Sequence, residues 1–145
     1  MALQFHPRTG QVLFCDFSHG FKEPEMVKCK RPVVVLTGSI KGRDNLVTIV
    51  PFSTVPPNPP RDFNLLVDKK RLPKTALFMN NDNWLKGDMI YTVGFHRLDP
   101  VLLPGKDPRT GARQYHNDRF SREFMKEIYA CVLNGMGLHD LVKSL

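Results

Sequence analysis

The stretch "RPVVVLTGSIKGRDNLVTIVPFST", Arg31 to Thr54, decides how this chain is built. Val33 to Leu36 and Leu46 to Phe52 are apolar runs rich in β-branched residues, and the segment between them carries Gly42 and three charged side chains, Lys41, Arg43 and Asp44. That composition predicts a strand over Pro32–Gly38, a turn, and a strand over Leu46–Thr54 whose near-unbroken apolar character implies burial on both faces. A proline at the start of the first strand wastes no ladder donor. Arg31 is thereby fixed at the rim of a buried strand instead of on a loose loop.

Upstream, the turn signal Pro7–Gly10 introduces a first strand over Gln11–Phe17, and a long polar connection follows, interrupted by Gly20 and Pro24. Downstream, "VPPNPPR" has four prolines and cannot join a sheet interior. Beyond it we expect a strand in "FNLLVD", a basic loop in "KKRLPKTAL", and a strand over Asp88–Leu98 that starts at the turn Lys86-Gly87-Asp88. Pro100, Pro104, Gly105, Pro108 and Gly111 mark the next stretch as a loop with exposed Arg and Lys, including the basic segment Pro104–Arg119. A helix is expected from Asn117 or Asp118, because Phe120, Phe124, Ile128, Cys131 and Val132 recur on one face. "NGMG" ends it, and "LHDLVKSL" adds a short helical turn. Strands first and one helix late, with no βαβ alternation, indicate an α+β fold: a compact, mostly antiparallel sheet, closed or half-closed on itself, packed by a C-terminal helix.

With 145 residues the chain is the size of one domain, residues 1–145, able to bury a core without disulfides. A 41% hydrophobic and 24% charged composition excludes disorder, and no apolar run approaches the ~18 residues of a membrane span, so a cytoplasmic location is expected. Cys15, Cys29 and Cys131 form no CxxC pair and leave one over in any disulfide scheme, so they read as reduced thiols, and no zinc-ligand spacing is present. The net charge of +7 favours polyanionic partners, nucleic acid first.

Polar groups gather at the ends of the expected strands: Arg31, then Ser53 and Thr54, then Lys86 with Asp88. A fixed cation, hydroxyl donors and a carboxylate beside an ammonium suffice for metal-free RNA cleavage, in which the ribose 2′-hydroxyl attacks the adjacent phosphorus. Each residue also has a plain structural use, as a solvated edge arginine or as turn chemistry. His96 in "GFHRLD" stands near a strand end and is either an acid–base group or structural.

The ordered set "GQVLFCDF", "EPEMVKCKRPVVVLT" and "LVTIVPFST", with an echo at "WLKGDMIYTVGF", resembles the MazF/PemK/Kid-type toxins of bacterial type II toxin–antitoxin systems. The resemblance implies a small SH3-like barrel of the CcdB/MazF kind with a C-terminal helix, a homodimer that cleaves single-stranded RNA sequence-specifically without metal or cofactor, and inhibition by a cognate antitoxin. It sets the active-site arginine on Arg31 and the catalytic hydroxyl on Ser53, with Thr54 as a substitute. The Arg-x-Asp acid–base pair of some members falls on Lys86 and Asp88, lysine replacing arginine. Glu25, one residue out of the usual register, His19 and Lys30 are implied to bind substrate. In that scheme Asp88 helps to deprotonate the 2′-hydroxyl, Lys86 or Arg31 protonates the leaving 5′-oxygen, and the product is a 2′,3′-cyclic phosphate. Two other readings stand beside it: a non-catalytic growth inhibitor that binds a protein target such as DNA gyrase, and a basic RNA-binding module.

Overall fold

The computed structural model describes residues 3–145. In chain order the elements are β1 (Val12–Cys15), β2 (Arg31–Val35), β3 (Leu46–Ser53), β4 (Asn64–Val67), α1 (Ala76–Met79), β5 (Asn83–Lys86), β6 (Tyr91–Gly94), β7 (Leu98–Pro100), β8 (Leu102–Lys106), β9 (Arg113–Tyr115) and α2 (Arg122–Gly135), with a 3-10 turn over His139–Ser144. The strands of the main sheet run β4-β5-β3-β2-β1-β7, with β6 also on β3, and every pairing is antiparallel. The α+β architecture with a C-terminal helix is therefore as expected. The sheet is not a closed barrel, because its path ends at β4 and β7 without pairing them.

β3 is the spine. On one side it pairs with β2; on the other it pairs with β6 through Leu46–Ile49 and then with β5 through Phe52 and Ser53. Pro51 lies where the outer partner changes.

Alternation along these strands splits the core into two layers. Val12, Phe14, Val34, Val50, Phe52 and Leu85 face α2, which lays Phe124, Met125, Ile128, Cys131 and Val132 on them. Burying each large apolar side chain is worth ~1.5–3 kcal/mol, so this face supplies what a 14-residue helix lacks in isolation. The opposite face, Leu13, Cys15, Val33, Val35, Val47 and Ile49, is covered by Phe17 and Met26 from the connection after β1. Phe17 and Phe21 pack on Tyr91 at 5.1 and 5.4 Å between ring centroids, and Met26 N donates to Tyr91 Oη at 3.0 Å.

Four expectations need correction. Asp88–Leu98 is not one strand: β6 stops at Gly94, a 3-10 turn over Phe95–Arg97 redirects the chain, and β7 pairs with β1 instead. The loop after Asp99 contains the β8–β9 hairpin, and "KKRLPKTAL" contains a 3-10 turn and the start of α1. The unassigned segment Asn83–Lys86 is a strand between β3 and β4. The helix begins at Arg122, because Gln11 bridges Arg119 and Phe120 N donates to Gly10 O at 3.0 Å, holding that stretch against β1. Ser121 then caps the helix, its Oγ accepting from Phe124 N at 3.2 Å. Among the described residues no helix is long and apolar enough to cross a membrane.

Candidate nucleic-acid site

Register brings the sequence's polar strand ends together in part. Val33 faces Pro51, Val34 faces Val50 and Val35 faces Ile49; carried two residues on, this register sets Arg31 opposite Ser53. Leu36 N donates to Thr48 O at 2.9 Å, so the even β2 positions fall in hydrogen-bonded pairs and the odd ones in the closer non-hydrogen-bonded pairs, with Cα atoms ~4.5 Å apart. On its other side Ser53 pairs with Trp84 of β5. Lys86 shares Trp84's face two residues on, about 7 Å along the sheet. Arg31, Ser53, Trp84 and Lys86 thus continue the face of Val33 and Ile49, and at these four residues the face passes from wholly buried to half-buried.

The electrostatics of this end are unbalanced. Among the described residues Arg31 forms no ion pair, its Nε is shielded from solvent with no hydrogen-bond partner, and burial lowers its pKa from the ordinary value of an arginine. A half-desolvated guanidinium without a counter-charge is a costly arrangement. It is chemically suited to an arriving anion. The Ser53 Oγ accepts from Val55 N at 3.2 Å, which leaves its own O–H to donate. Trp84 Nε1 is a second buried donor without a partner.

Lys86 and Asp88 flank a turn closed by Met89 N donating to Lys86 O at 3.0 Å. Gly87 is required there, since a Cβ would strike the Cys131 backbone of α2, and Gly135 lies equally tight against Gly87 and Asp88. The turn is therefore docked on the helix. Asp88 is exposed in the turn beyond the end of β5.

The remaining candidates scatter. Thr54 is half-buried just past β3. Lys30 leaves β2 on the face opposite to Arg31 and sets its Nζ 4.7 Å from the centroid of the Phe14 ring. Glu25 closes a turn, its Oε1 accepting from Lys22 N at 2.9 Å while its own N donates to Lys22 O at 2.8 Å. His19 is exposed near Asp16, whose carboxyl pKa is lowered chiefly by hydrogen bonds from the Ser18 hydroxyl and N–H, with smaller help from His19 and Arg97. His96 is exposed in the turn after β6.

Two residues were missed from the sequence. Trp84, the single tryptophan, had a signal in the alternation of "NWLK", buried at Asn83 and Leu85 and half-buried at Trp84 and Lys86. Arg97 locks the connection that covers the second face: its Nη1 donates to Asp16 O at 3.0 Å, Asp16 N donates to its carbonyl at 2.8 Å, and its guanidinium lies 4.8 Å over Phe21. No local pattern announces that pairing across the fold.

The family described as "PemK-like, MazF-like toxin of type II toxin-antitoxin system" matches residues 8–132, a span that holds β1 through most of α2. The chain belongs to this family. An uncharacterized protein of Haemophilus influenzae is 31% identical to this PemK/MazF-like toxin over 149 residues, 96% of each chain. Among solved structures, an endoribonuclease in complex with its cognate antitoxin from a mycobacterial species is 18% identical, with a TM-score of 0.56 over 91% of this chain and 96% of that one. MazF from Deinococcus radiodurans is 13% identical, with a TM-score of 0.56 over 92% and 99%. At these identities the likeness to solved structures is one of fold.

Proposed function

We propose that this PemK/MazF-like toxin is a cytoplasmic endoribonuclease that cuts single-stranded RNA at short sequences without a metal ion, works as a homodimer and is silenced by a cognate antitoxin. The observation that carries this reading is the uncompensated, half-buried Arg31 on the register position opposite Ser53, whose Oγ accepts from Val55 N and keeps its O–H to donate. The names of the structural neighbours, an endoribonuclease and its antitoxin complex, support it.

In the reaction the ribose 2′-oxygen forms a bond to phosphorus, the P–O5′ bond breaks, and a 2′,3′-cyclic phosphate remains. Arg31 and Ser53 hold the non-bridging oxygens as charge builds on the phosphorane. Arginine, with a pKa above about 12, is a poor proton donor, so Lys86 delivers the proton to the departing 5′-oxygen and Arg31 acts electrostatically. Asp88 takes the 2′-hydroxyl proton from the exposed side of the same turn.

The purified protein incubated with a long single-stranded RNA in EDTA should yield upstream fragments ending in a 2′,3′-cyclic phosphate and downstream fragments beginning with a 5′-hydroxyl. RNA left intact by protein that still arrests growth on induction would sink this reading and favour a protein target.

A further inference from the structure

The β8–β9 hairpin is not needed by either layer of the core. Its strands bury no residue, and its turn is held by local bonds, with Asp107 N donating to Ala112 O at 2.9 Å and Asp107 Oδ1 accepting from Arg109 N at 2.8 Å. A two-stranded ribbon without a buried face is marginal alone. This one is rooted through the pair Leu102–Tyr115 and a bond from His116 N to Val101 O at 2.8 Å, directly after β7. Besides Asp107, which its own turn uses, the projecting part carries Lys106, Arg109 and Arg113. It is a basic arm fixed at its base.

The arm lines a groove of about 450 Å³ with Arg113 and Tyr115, and Phe14, Cys15, Lys30 and Pro100 from the sheet end also line it. That size is typical of small-ligand sites, which span ~300–1,000 Å³. Lys30 of the groove is the chain neighbour of Arg31 but leaves on the opposite face, over Phe14, so the groove lies across the strand end from the phosphate clamp, on the side of β2 away from Ser53. Its chemistry is mixed. Tyr115 is exposed, the two cations suit a phosphate, and Asp16 and Asp99 also line it. Both Ser18 bonds to Asp16 go to Oδ1, which leaves Oδ2 to accept another. A bare polyanion gains nothing from carboxylates, whereas a nucleobase carrying an amino group does.

We propose that this groove is a nucleotide subsite across the strand end from the scissile phosphate, reached by a strand that bends round the start of β2: Tyr115 stacks the base, Arg113 and Lys30 hold its phosphate, and Asp16 accepts from an exocyclic amine, favouring adenine, cytosine or guanine over uracil. The proposal rests on the ribonuclease reading above and adds a specificity-determining arm to it. Its occupant is single-stranded RNA, since sequence-tolerant stacking on an exposed ring beside cations is how such strands are held.

The test compares wild type with Tyr115→Ala, Tyr115→Phe, Arg113→Ala and, as a control at the arm's tip, Arg109→Ala. Each is assayed for kcat/KM on a long single-stranded RNA, for its cleavage sites by end mapping, for binding to a non-cleavable 2′-O-methyl oligonucleotide, and for its melting temperature. Tyr115→Ala should bind and cleave about tenfold more weakly or worse, through KM rather than kcat, and should relax base preference at one position near the cut, whereas Tyr115→Phe and Arg109→Ala keep both. The melting temperature should hold throughout, because these side chains are exposed. If wild type cleaves and Tyr115→Ala and Arg113→Ala keep its kcat/KM and cleavage sites, the subsite is overturned and the ribonuclease reading stands. If wild type neither cleaves RNA nor binds the oligonucleotide, both fall together.

Discussion

The two faces of the central sheet are built from the same strands by the same alternation, yet they end differently. On the α2 face the cover runs to the strand ends: Phe52 and Leu85 are fully buried beneath a helix. On the other face the cover comes from a loop, with Phe17 and Met26 over Val33 and Ile49, and the half-buried Arg31, Ser53, Trp84 and Lys86 continue that face. A continuous helix makes a structural face. A cover that stops short leaves the last residues of each strand half-solvated, where polar groups are held rigidly and can still meet a ligand.

The sharpest way to break that comparison is to change one residue on each face and read both stability and activity. Arg31→Ala should lower RNA cleavage by about 10²–10³-fold with the melting temperature unchanged or raised, since the half-buried cation has no ion pair among the described residues to lose. Cleavage at the wild-type rate would remove Arg31 from the chemistry. Ile128→Ala, beneath the sheet on the α2 face, should instead cost about 2–5 kcal/mol in denaturant unfolding and leave kcat of the folded fraction intact. Gly135→Ala tests whether the faces communicate, because its methyl would press on Gly87 and Asp88. A loss of about 1–3 kcal/mol is expected, together with lower activity through a displaced Lys86–Asp88 turn; stability loss without any activity change would uncouple that turn from catalysis.

The smallest effect concerns the thiols. Burial pushes Cys15 up to about 12 and Cys131 up to about 11, one on each face, while Cys29 is exposed. Native protein at neutral pH should react with a thiol reagent at Cys29 only, as mass spectrometry would show. Both buried thiols hold their protons more tightly folded than unfolded, so their contribution is complete below the ordinary value of 9.0 and fades as pH rises toward 11 and 12. Melting temperature should fall over that window. Equal labelling of all three thiols in the folded state would contradict the closed layers.

What could be read from the sequence follows from how local the signals are. β2, β3 and the helix carry long apolar patterns, and the expected face Phe120, Phe124, Ile128, Cys131 and Val132 is the buried one. β5 is four residues with two polar members, too short for its alternation to stand out, and the hairpin's strands have no inward face to generate any pattern. For the site, the proximity of Arg31 and Ser53 follows from a two-strand register that the Ser39–Asn45 turn specifies locally. The place of Lys86 depends on β5 entering beside β3 from across the Pro-rich connector, and the split of Lys30 from Arg31 onto opposite faces depends on pleat phase. Neither is local information.

Pro51 brings one more consequence. It stands mid-way along a central strand, where a missing N–H is ordinarily disallowed, but its place in a non-hydrogen-bonded pair with Val33 turns that missing donor outward, to where β6 has ended and β5 is arriving. No neighbour there asks for the bond. The seam this leaves in the ladder is bridged by residues 87–90, a bend held by its docking on α2 through Gly87 and Gly135 and not by the ladder of β3, so the alignment of β2 on β3 does not depend on it. The half-buried side chain at position 86, at the end of β5, can then be exchanged between lysine and arginine while the register that sets Arg31 opposite Ser53 stays locked.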